Sequence, residues 1–84
     1  MHLFATNLKF LRRKYSWSQQ VLADKLNMGR STIADYERSK SEPSFNLLIQ
    51  LAEVCQVSVD DLLTKDLLHE SYQIIKNRNM KVLV

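Results

Sequence analysis

Polar and basic side chains within residues 18–37 are the ones whose types and spacing could do chemistry. The second half of this segment carries Arg30, Ser31 and Asp35, which offer a guanidinium, a hydroxyl and a carboxylate. An Arg side chain can pair bidentately with O6 and N7 of a guanine, and a carboxylate can accept from N4 of a cytosine. The chemistry indicated is therefore recognition through hydrogen bonds.

Two short helices joined by a tight turn must position these side chains. Ser18 and Gly29 each have an apolar residue directly before them and another four residues after them, which is typical of a helix N-cap. The pattern predicts one helix that begins after Ser18 and a second that covers residues 30–38. A second helix with a polar, basic start fits the major groove of DNA.

Catalytic and metal-binding chemistry have little support in the other polar residues. Cys55 shows no metal-ligand spacing and no base–nucleophile pairing with His2 or His69, so a core thiol explains it more simply. Asp60 and Asp61 lie at a predicted helix start, where they complement the helix dipole. The chain also lacks a glycine-rich phosphate loop. We expect a protein that is not an enzyme and that binds no metal or cofactor.

Three further helices complete an all-α architecture. Apolar residues at helical spacing and N-cap residues define them. They are predicted over residues 4–14, over 45–55 after the cap Ser44, and over 59–65 after the cap Ser58. Helices this short depend on packing against one another. The sequence therefore predicts one compact five-helix domain over residues 1–66.

The net charge is +3, and its distribution along the chain is more informative than its size. Residues 1–43 carry +4, residues 44–70 carry −4, and residues 71–84 carry +3. The basic half contains the helix pair, as expected for a surface that faces phosphates. Lys and Arg also solvate ordinary helix surfaces, so charge alone leaves both interpretations open.

Composition indicates a protein of the cell interior. A single cysteine cannot form an internal disulfide, which fits a reducing compartment. No run approaches the roughly 20 apolar residues that cross a bilayer, and the N-terminus lacks a signal-peptide pattern. We expect a cytoplasmic, nucleoid-associated protein that does not contact a membrane.

Residues 67–84 differ in character from the predicted domain. Two β-prone runs flank a polar stretch at 77–79, which could form the turn of a hairpin. A sixth helix is the competing interpretation. Because the chain ends on an apolar run, we expect this extension to be a dimer contact or the start of a linker to a further domain.

A set of residues spread between 7 and 66 forms a longer pattern. It comprises Leu8-Lys-Phe-Leu-Arg12, Trp17-Ser-Gln19, Leu22-Ala23, Leu26, Ser31-Thr-Ile33, Tyr36-Glu37-Arg38, Pro43-Ser44, Leu51-Ala52 and Val57-Ser58 through Leu63. In order and spacing this pattern resembles the helix-turn-helix proteins of the lambdoid phage repressor and Cro group, often called the XRE family. The resemblance implies a lambda-repressor-like five-helix domain that binds double-stranded DNA as a homodimer.

Three positions depart from the pattern of that family. Asn27 stands where the turn usually has Gly, and Asn is the next-best residue for a positive φ. Ser39 stands where Gly often follows the recognition helix, and it would be strained if its φ were positive. Val21 cannot complete a capping box, because its side chain has no polar group. None of these changes removes the motif.

The resemblance implies base contacts at the exposed start of the recognition helix. Arg30 and Ser31 follow the cap and would face base edges, with a phosphate contact as the alternative for Arg30. Asp35 lies one turn later. It could accept from a cytosine, or it could pair with Arg38 and steer charge.

Backbone contacts and one structural ion pair are implied as well. The family uses a Gln at the position of Gln19 to hold a phosphate and to brace the first recognition residue, and a solvated residue at a helix start is the alternative. Arg12 and Glu37 match a partly buried salt bridge that ties the first helix to the third. Further contacts with the DNA backbone are expected from Gln20, Thr32, Arg38 and Lys40.

These features predict a sequence-specific DNA-binding transcriptional regulator that represses from a pseudo-palindromic operator. An alternative from another class is an antitoxin-type protein, which would neutralise a protein partner through residues 67–84. A third interpretation is the N-terminal part of a longer, two-domain phage-type repressor.

Overall fold

Helices are the only regular elements in the described part of the chain. The structure, a computed structural model, describes residues 2–73. Its helices are α1 (His2–Lys14), α2 (Gln19–Lys25), α3 (Arg30–Glu37), α4 (Phe45–Cys55) and α5 (Val59–Thr64). Helical backbone resumes at residue 67 and continues to residue 73. The predicted all-α class is confirmed, and no helix in this range is long and apolar enough to span a membrane.

Serine hydroxyls begin three of the helices, as their sequence positions predict. The Oγ atoms of Ser18, Ser44 and Ser58 accept hydrogen bonds of 3.0, 3.2 and 2.9 Å from the backbone N–H three residues later. Each bond satisfies one of the N–H groups that a helix N-terminus leaves free. Gly29 begins α3 without a side-chain bond. The predicted recognition helix 30–38 is one residue too long, since Arg38 is its C-cap.

Residues with a left-handed backbone conformation follow several helices, and none of these residues is glycine. Within residues 2–73, Ser16, Asn27, Ser39 and Gln56 have φ between 56° and 59°. The backbone N–H after each of them bonds to a carbonyl five residues back, so the final carbonyls are satisfied. Asn27 and Ser39 are the two positions at which the sequence suggested a positive φ.

A single apolar core lies between the helices, with α1 near its centre. α1 packs against both α3 and α5, α2 packs against α3, and α4 packs against α5. The side chains of Phe4 and Tyr36 meet edge to face, with ring centroids 6.1 Å apart. The largest fully buried side chains are Phe4, Leu8, Leu22, Ile33, Leu51, Leu62, Asn7 and Cys55.

Asn7 is the fully buried polar side chain of this core, and it ties α1 to the end of α5. Its Nδ2 donates to the carbonyls of Leu62 and Lys65 at 2.9 and 2.6 Å. Its Oδ1 accepts from the N–H of Leu67 at 3.1 Å. Because Leu67 also packs against the core, the first residue of the C-terminal extension is part of the packed body.

The C-terminal extension begins as a helix. Over its described residues, 67–73, the structure agrees with the sixth-helix interpretation. Residues 67–73 are helical, whereas the hairpin turn suggested at 77–79 lies outside the described residues. Two large apolar side chains of this segment are solvent-exposed, Leu68 by 51 % and Tyr72 by 61 %. They are four residues apart and so share one side of the helix.

Candidate nucleic-acid interface

A close crossing of α2 and α3 builds the base of the site. Ala23 of α2 and Ile33 of α3 are both fully buried. The left-handed Asn27, with φ 56°, turns the chain. The N–H of Met28 then bonds to the carbonyl of Ala23 at 2.9 Å. The turn therefore holds α3 at a fixed angle to α2.

α3 has one buried side and one side that faces solvent. Ile33 is fully buried and Tyr36 nearly so, and burial raises the pKa of the Tyr36 hydroxyl. Arg30 and Ser31 are exposed at the start of the helix, and Asp35 is half-exposed one turn later. The three predicted base-contacting residues thus lie outside the core, on a helix that the core holds in place.

Gln19 and Arg30 are joined across the helix pair. The guanidinium Nη1 of Arg30 donates to Oε1 of Gln19 at 3.1 Å. Gln19 is the first residue of α2, and Arg30 is the first residue of α3. The two helix starts therefore meet at the same surface, where backbone N–H groups favour anions such as phosphate.

An ion pair beneath this surface ties α1 to α3. Nε and Nη2 of Arg12 donate to the two carboxylate oxygens of Glu37 at 2.6 and 3.0 Å, and the side chains are 10 % and 3 % exposed. The hydrogen bond to Glu37 is the main cause that raises the pKa of Arg12. The remaining arm, Nη1, donates to the carbonyl of Trp17 at 2.9 Å. Both the geometry and the burial make this pair part of the fold.

The end of α3 carries a surface ion pair, and an exposed lysine follows it. Arg38 donates to Asp35 at 3.0 Å, and the two side chains are 59 % and 42 % exposed. Such a pair contributes little to stability, about 0–1 kcal/mol, so either group can turn to a different partner. The exposed residue Lys40 comes next, with its backbone N–H bonded to the carbonyl of Asp35 at 2.8 Å.

The two weaker candidates for backbone contact lie at the edges of this surface. Gln20 is exposed, and its amide donates to Asp24 one turn along α2 at 2.8 Å. Thr32 is half-buried, and its backbone N–H bonds to the carbonyl of Gly29 at 3.2 Å. The structure therefore brings Gln19, Arg30 and Ser31 together, with Gln20 and Thr32 beside them.

One contact at the site was not predicted. Nε2 of Gln19 donates to Oε1 of Glu37 at 3.2 Å, so the half-buried residue Gln19 is joined to the buried carboxylate. The two residues are 18 positions apart on different helices. No local pattern indicates such a contact. It follows only from the angle at which α2 crosses α3.

Other chemistry is sparse within the described residues. No group of three His, Cys, Asp or Glu side chains among them could hold a metal ion. Cys55 is buried, and desolvation raises the pKa of its thiol to about 11. At neutral pH such a thiol is protonated and a poor nucleophile.

Known proteins share this arrangement in sequence. The model of a family described as helix-turn-helix matches residues 8–62. The chain is 39% identical over 59 residues to the HTH-type transcriptional regulator ImmR of Bacillus subtilis (strain 168), a match that spans 70% of the chain and 46% of ImmR. It is 34% identical over 61 residues to an uncharacterized HTH-type transcriptional regulator of Archaeoglobus fulgidus, over 73% of the chain and 87% of that relative.

Solved structures share the arrangement in three dimensions. The restriction-modification controller protein C.AhdI from Aeromonas hydrophila superposes with a TM-score of 0.68 at 26% sequence identity. The superposition covers 74% of this chain and 94% of that one. The chain spans about half the length of the first curated relatives that it matches.

Proposed function

The chain belongs to the XRE-type helix-turn-helix family, and from this premise we propose that it regulates transcription by binding double-stranded DNA. α3 enters the major groove, and the start of α2 lies over the sugar–phosphate backbone. Residues 1–66 form the DNA-binding domain. The relatives named as transcriptional regulators support the same role.

The observation that carries this proposal is the hydrogen bond between Gln19 and Arg30 at the meeting point of two helix starts. A guanidinium held at the exposed start of a helix has the geometry for O6 and N7 of a guanine. Arg30 therefore makes the leading base contact. Ser31 and Asp35 contact bases nearby.

Contacts with the DNA backbone set the register of the helix in the groove. Gln19 lies at a helix start, where a phosphate is favoured by the orientation of free N–H groups. Arg38 and Lys40 lie just past α3 and are exposed. They neutralise phosphates without reading sequence. Gln20 and Thr32 contribute at the edges of the same surface.

We propose that two copies bind together as a repressor. A two-fold dimer places its recognition helices about 34 Å apart, one turn of DNA, so that the operator is pseudo-palindromic. Occupation of promoter DNA by such a dimer blocks transcription. Leu68 and Tyr72, exposed on the 67–73 helix, offer apolar surface for the second copy.

Selection of bound sequences from random double-stranded DNA tests the function. A two-fold symmetric enriched motif is the expected result, and a reporter gene behind that motif should then be silenced by the protein. The double variant Arg30→Ala with Gln19→Ala is the control and should enrich nothing. If the unmodified chain enriches no motif, the DNA-binding proposal is wrong, and a protein partner for residues 67–84 becomes the better hypothesis.

A further inference from the structure

A line of hydrogen bonds runs from the buried ion pair to the exposed guanidinium of Arg30. Glu37 accepts from Arg12 at 2.6 and 3.0 Å. The same carboxylate accepts from Nε2 of Gln19 at 3.2 Å, and Oε1 of Gln19 accepts from Arg30 at 3.1 Å. Glu37, Gln19 and Arg30 together form what we call the relay.

The order of donors and acceptors permits only one orientation of the central amide. An ionised carboxylate only accepts hydrogen bonds, and a guanidinium only donates them. The amide of Gln19 has one end of each kind. It must therefore turn its N–H₂ toward Glu37 and its oxygen toward Arg30. A flipped amide would place two acceptors together at one end and two donors together at the other.

The inner end of the relay cannot rotate away. The side chain of Glu37 is 3 % exposed, and both of its oxygens are engaged by Arg12. Arg12 is in turn anchored to the carbonyl of Trp17 at 2.9 Å. In contrast, Arg30 is exposed and has no core packing of its own. Gln19 is therefore the residue through which the anchored carboxylate is connected to Arg30.

We propose that Glu37 is a positioning residue for sequence recognition: through Gln19, it sets the direction in which Arg30 faces a base. The inference rests on the proposed DNA-binding function and adds a specificity role for a residue of the buried ion pair. The bond to Gln19 uses Nη1 of Arg30. Nη2 and Nε are then the two donors that remain for O6 and N7 of one guanine.

Affinity for matched and mismatched operators tests the relay. The probes are the selected operator and the same duplex with the guanine read by Arg30 replaced. A bidentate pair supplies roughly 5- to 150-fold discrimination, and Glu37→Gln should reduce this ratio by about 3-fold or more. Glu37 accepts two hydrogen bonds from Arg12 and one from Gln19, and the amide introduced by Glu37→Gln cannot accept all three, because one of its two ends is a donor. Affinity for random DNA should stay the same within about twofold.

A double-variant cycle shows whether Glu37 acts through Gln19. In a Gln19→Ala background, Glu37→Gln should cause no further loss of discrimination at this base pair. Losses that multiply would overturn the relay, because they would make the two residues independent. Glu37→Asp provides a second variant, since it keeps the charge beside Arg12 while its carboxylate is withdrawn by one methylene from Gln19. It should lose discrimination as Glu37→Gln does.

Asn7→Ala is the control for a general loss of stability. The hydrogen bonds of Asn7 join α1 to Leu62, Lys65 and Leu67 and involve no residue of the relay. This variant should lower the melting temperature yet keep full discrimination at every base pair. If Glu37→Asp also keeps full discrimination, the carboxylate serves the fold alone and the inference is wrong. Failure of the proposed function is a different result, in which the unmodified chain enriches no sequence.

Discussion

Arg30 is the residue on which sequence recognition depends most in this proposal. It is exposed, lies at the first position of α3, and is held by one hydrogen bond to Gln19. Its guanidinium can serve a base or a phosphate, and these two roles differ in geometry. A guanine requires two parallel donors, whereas a phosphate accepts any nearby cation.

Substitution of Arg30 separates the two roles. Arg30→Ala should cost about 1–3 kcal/mol on the selected operator and should relax discrimination at one base pair. Arg30→Lys keeps the positive charge but lacks the planar guanidinium, so it should not restore discrimination at that base pair. Titration of fluorescent duplexes at fixed salt measures both effects. Full recovery by Lys, together with equal weakening on random DNA, would identify a phosphate contact instead.

The role proposed for Lys40 is simpler, since it is contact with a phosphate and involves no base. Lys40→Ala should weaken binding to all sequences alike and lower the slope of log K against log salt by about one. The matched control is Lys25→Ala, since the ammonium of Lys25 lies over the Trp17 ring, 4.7 Å from its centroid. An equal drop in slope for the two variants would place the phosphate contact elsewhere.

At the scale of elements, helix ends are where local sequence and structure agree best. Three serine caps and two left-handed residues follow from patterns of four to six neighbouring residues. After α3, the N–H groups of Ser39 and Lys40 bond to the carbonyls of Tyr36 and Asp35 at 3.2 and 2.8 Å. These two hydrogen bonds end α3 at a defined residue. They also force a serine into a conformation that favours glycine.

Ser39→Gly should therefore stabilise the protein. Ser39 has φ 59°, and relief of the left-handed strain should raise the free energy of unfolding by about 0.5–1 kcal/mol. The midpoint of thermal unfolding should rise by about 2–8 °C. Ser41→Gly is the matched control, because Ser41 is not among the residues of positive φ; it should lower the midpoint or leave it unchanged. Equal shifts for both variants would contradict the strain argument.

At the scale of the whole molecule, the proposed recognition of a two-fold operator depends on assembly into a dimer. Among the described residues, the three most exposed large apolar side chains lie on two elements: Phe45 on α4 is 73 % exposed, and Leu68 and Tyr72 on the 67–73 helix are 51 % and 61 % exposed. Both are candidates for contact with a second copy. The 67–73 helix belongs to the extension 67–84, for which the sequence predicts a dimer contact or the start of a linker to a further domain.

Leu68→Asp should dissociate the proposed dimer without unfolding it, because Leu68 is 51 % exposed and a carboxylate is costly in an apolar interface. Sedimentation velocity should report a monomer, and affinity for the two-fold operator should fall toward that for a half-site. Phe45→Asp is the control and should remain a dimer. The reverse outcome for the two variants would place the interface on α4.

Much of the fold follows from the sequence, because the signals are local. Helical periodicity, the caps Ser18, Ser44 and Ser58, and the turn at Asn27 act over a few residues and predict the five helices closely. The extension was ambiguous because its β-prone runs and its helical spacing compete. Packing of Leu67 on the core and its bond to Asn7 favour a helix over 67–73.

Sequence alone specified that this chain forms short capped helices, which side of each is apolar, and that a helix of the XRE type with a polar, basic start is exposed for DNA. The tertiary structure decided how the polar side chains are connected. Glu37 meets Gln19 across 18 residues, and Asn7 meets Leu67 across 60. Such contacts depend on the angles between packed helices, and the free energy that sets those angles comes from the whole core rather than from neighbouring residues.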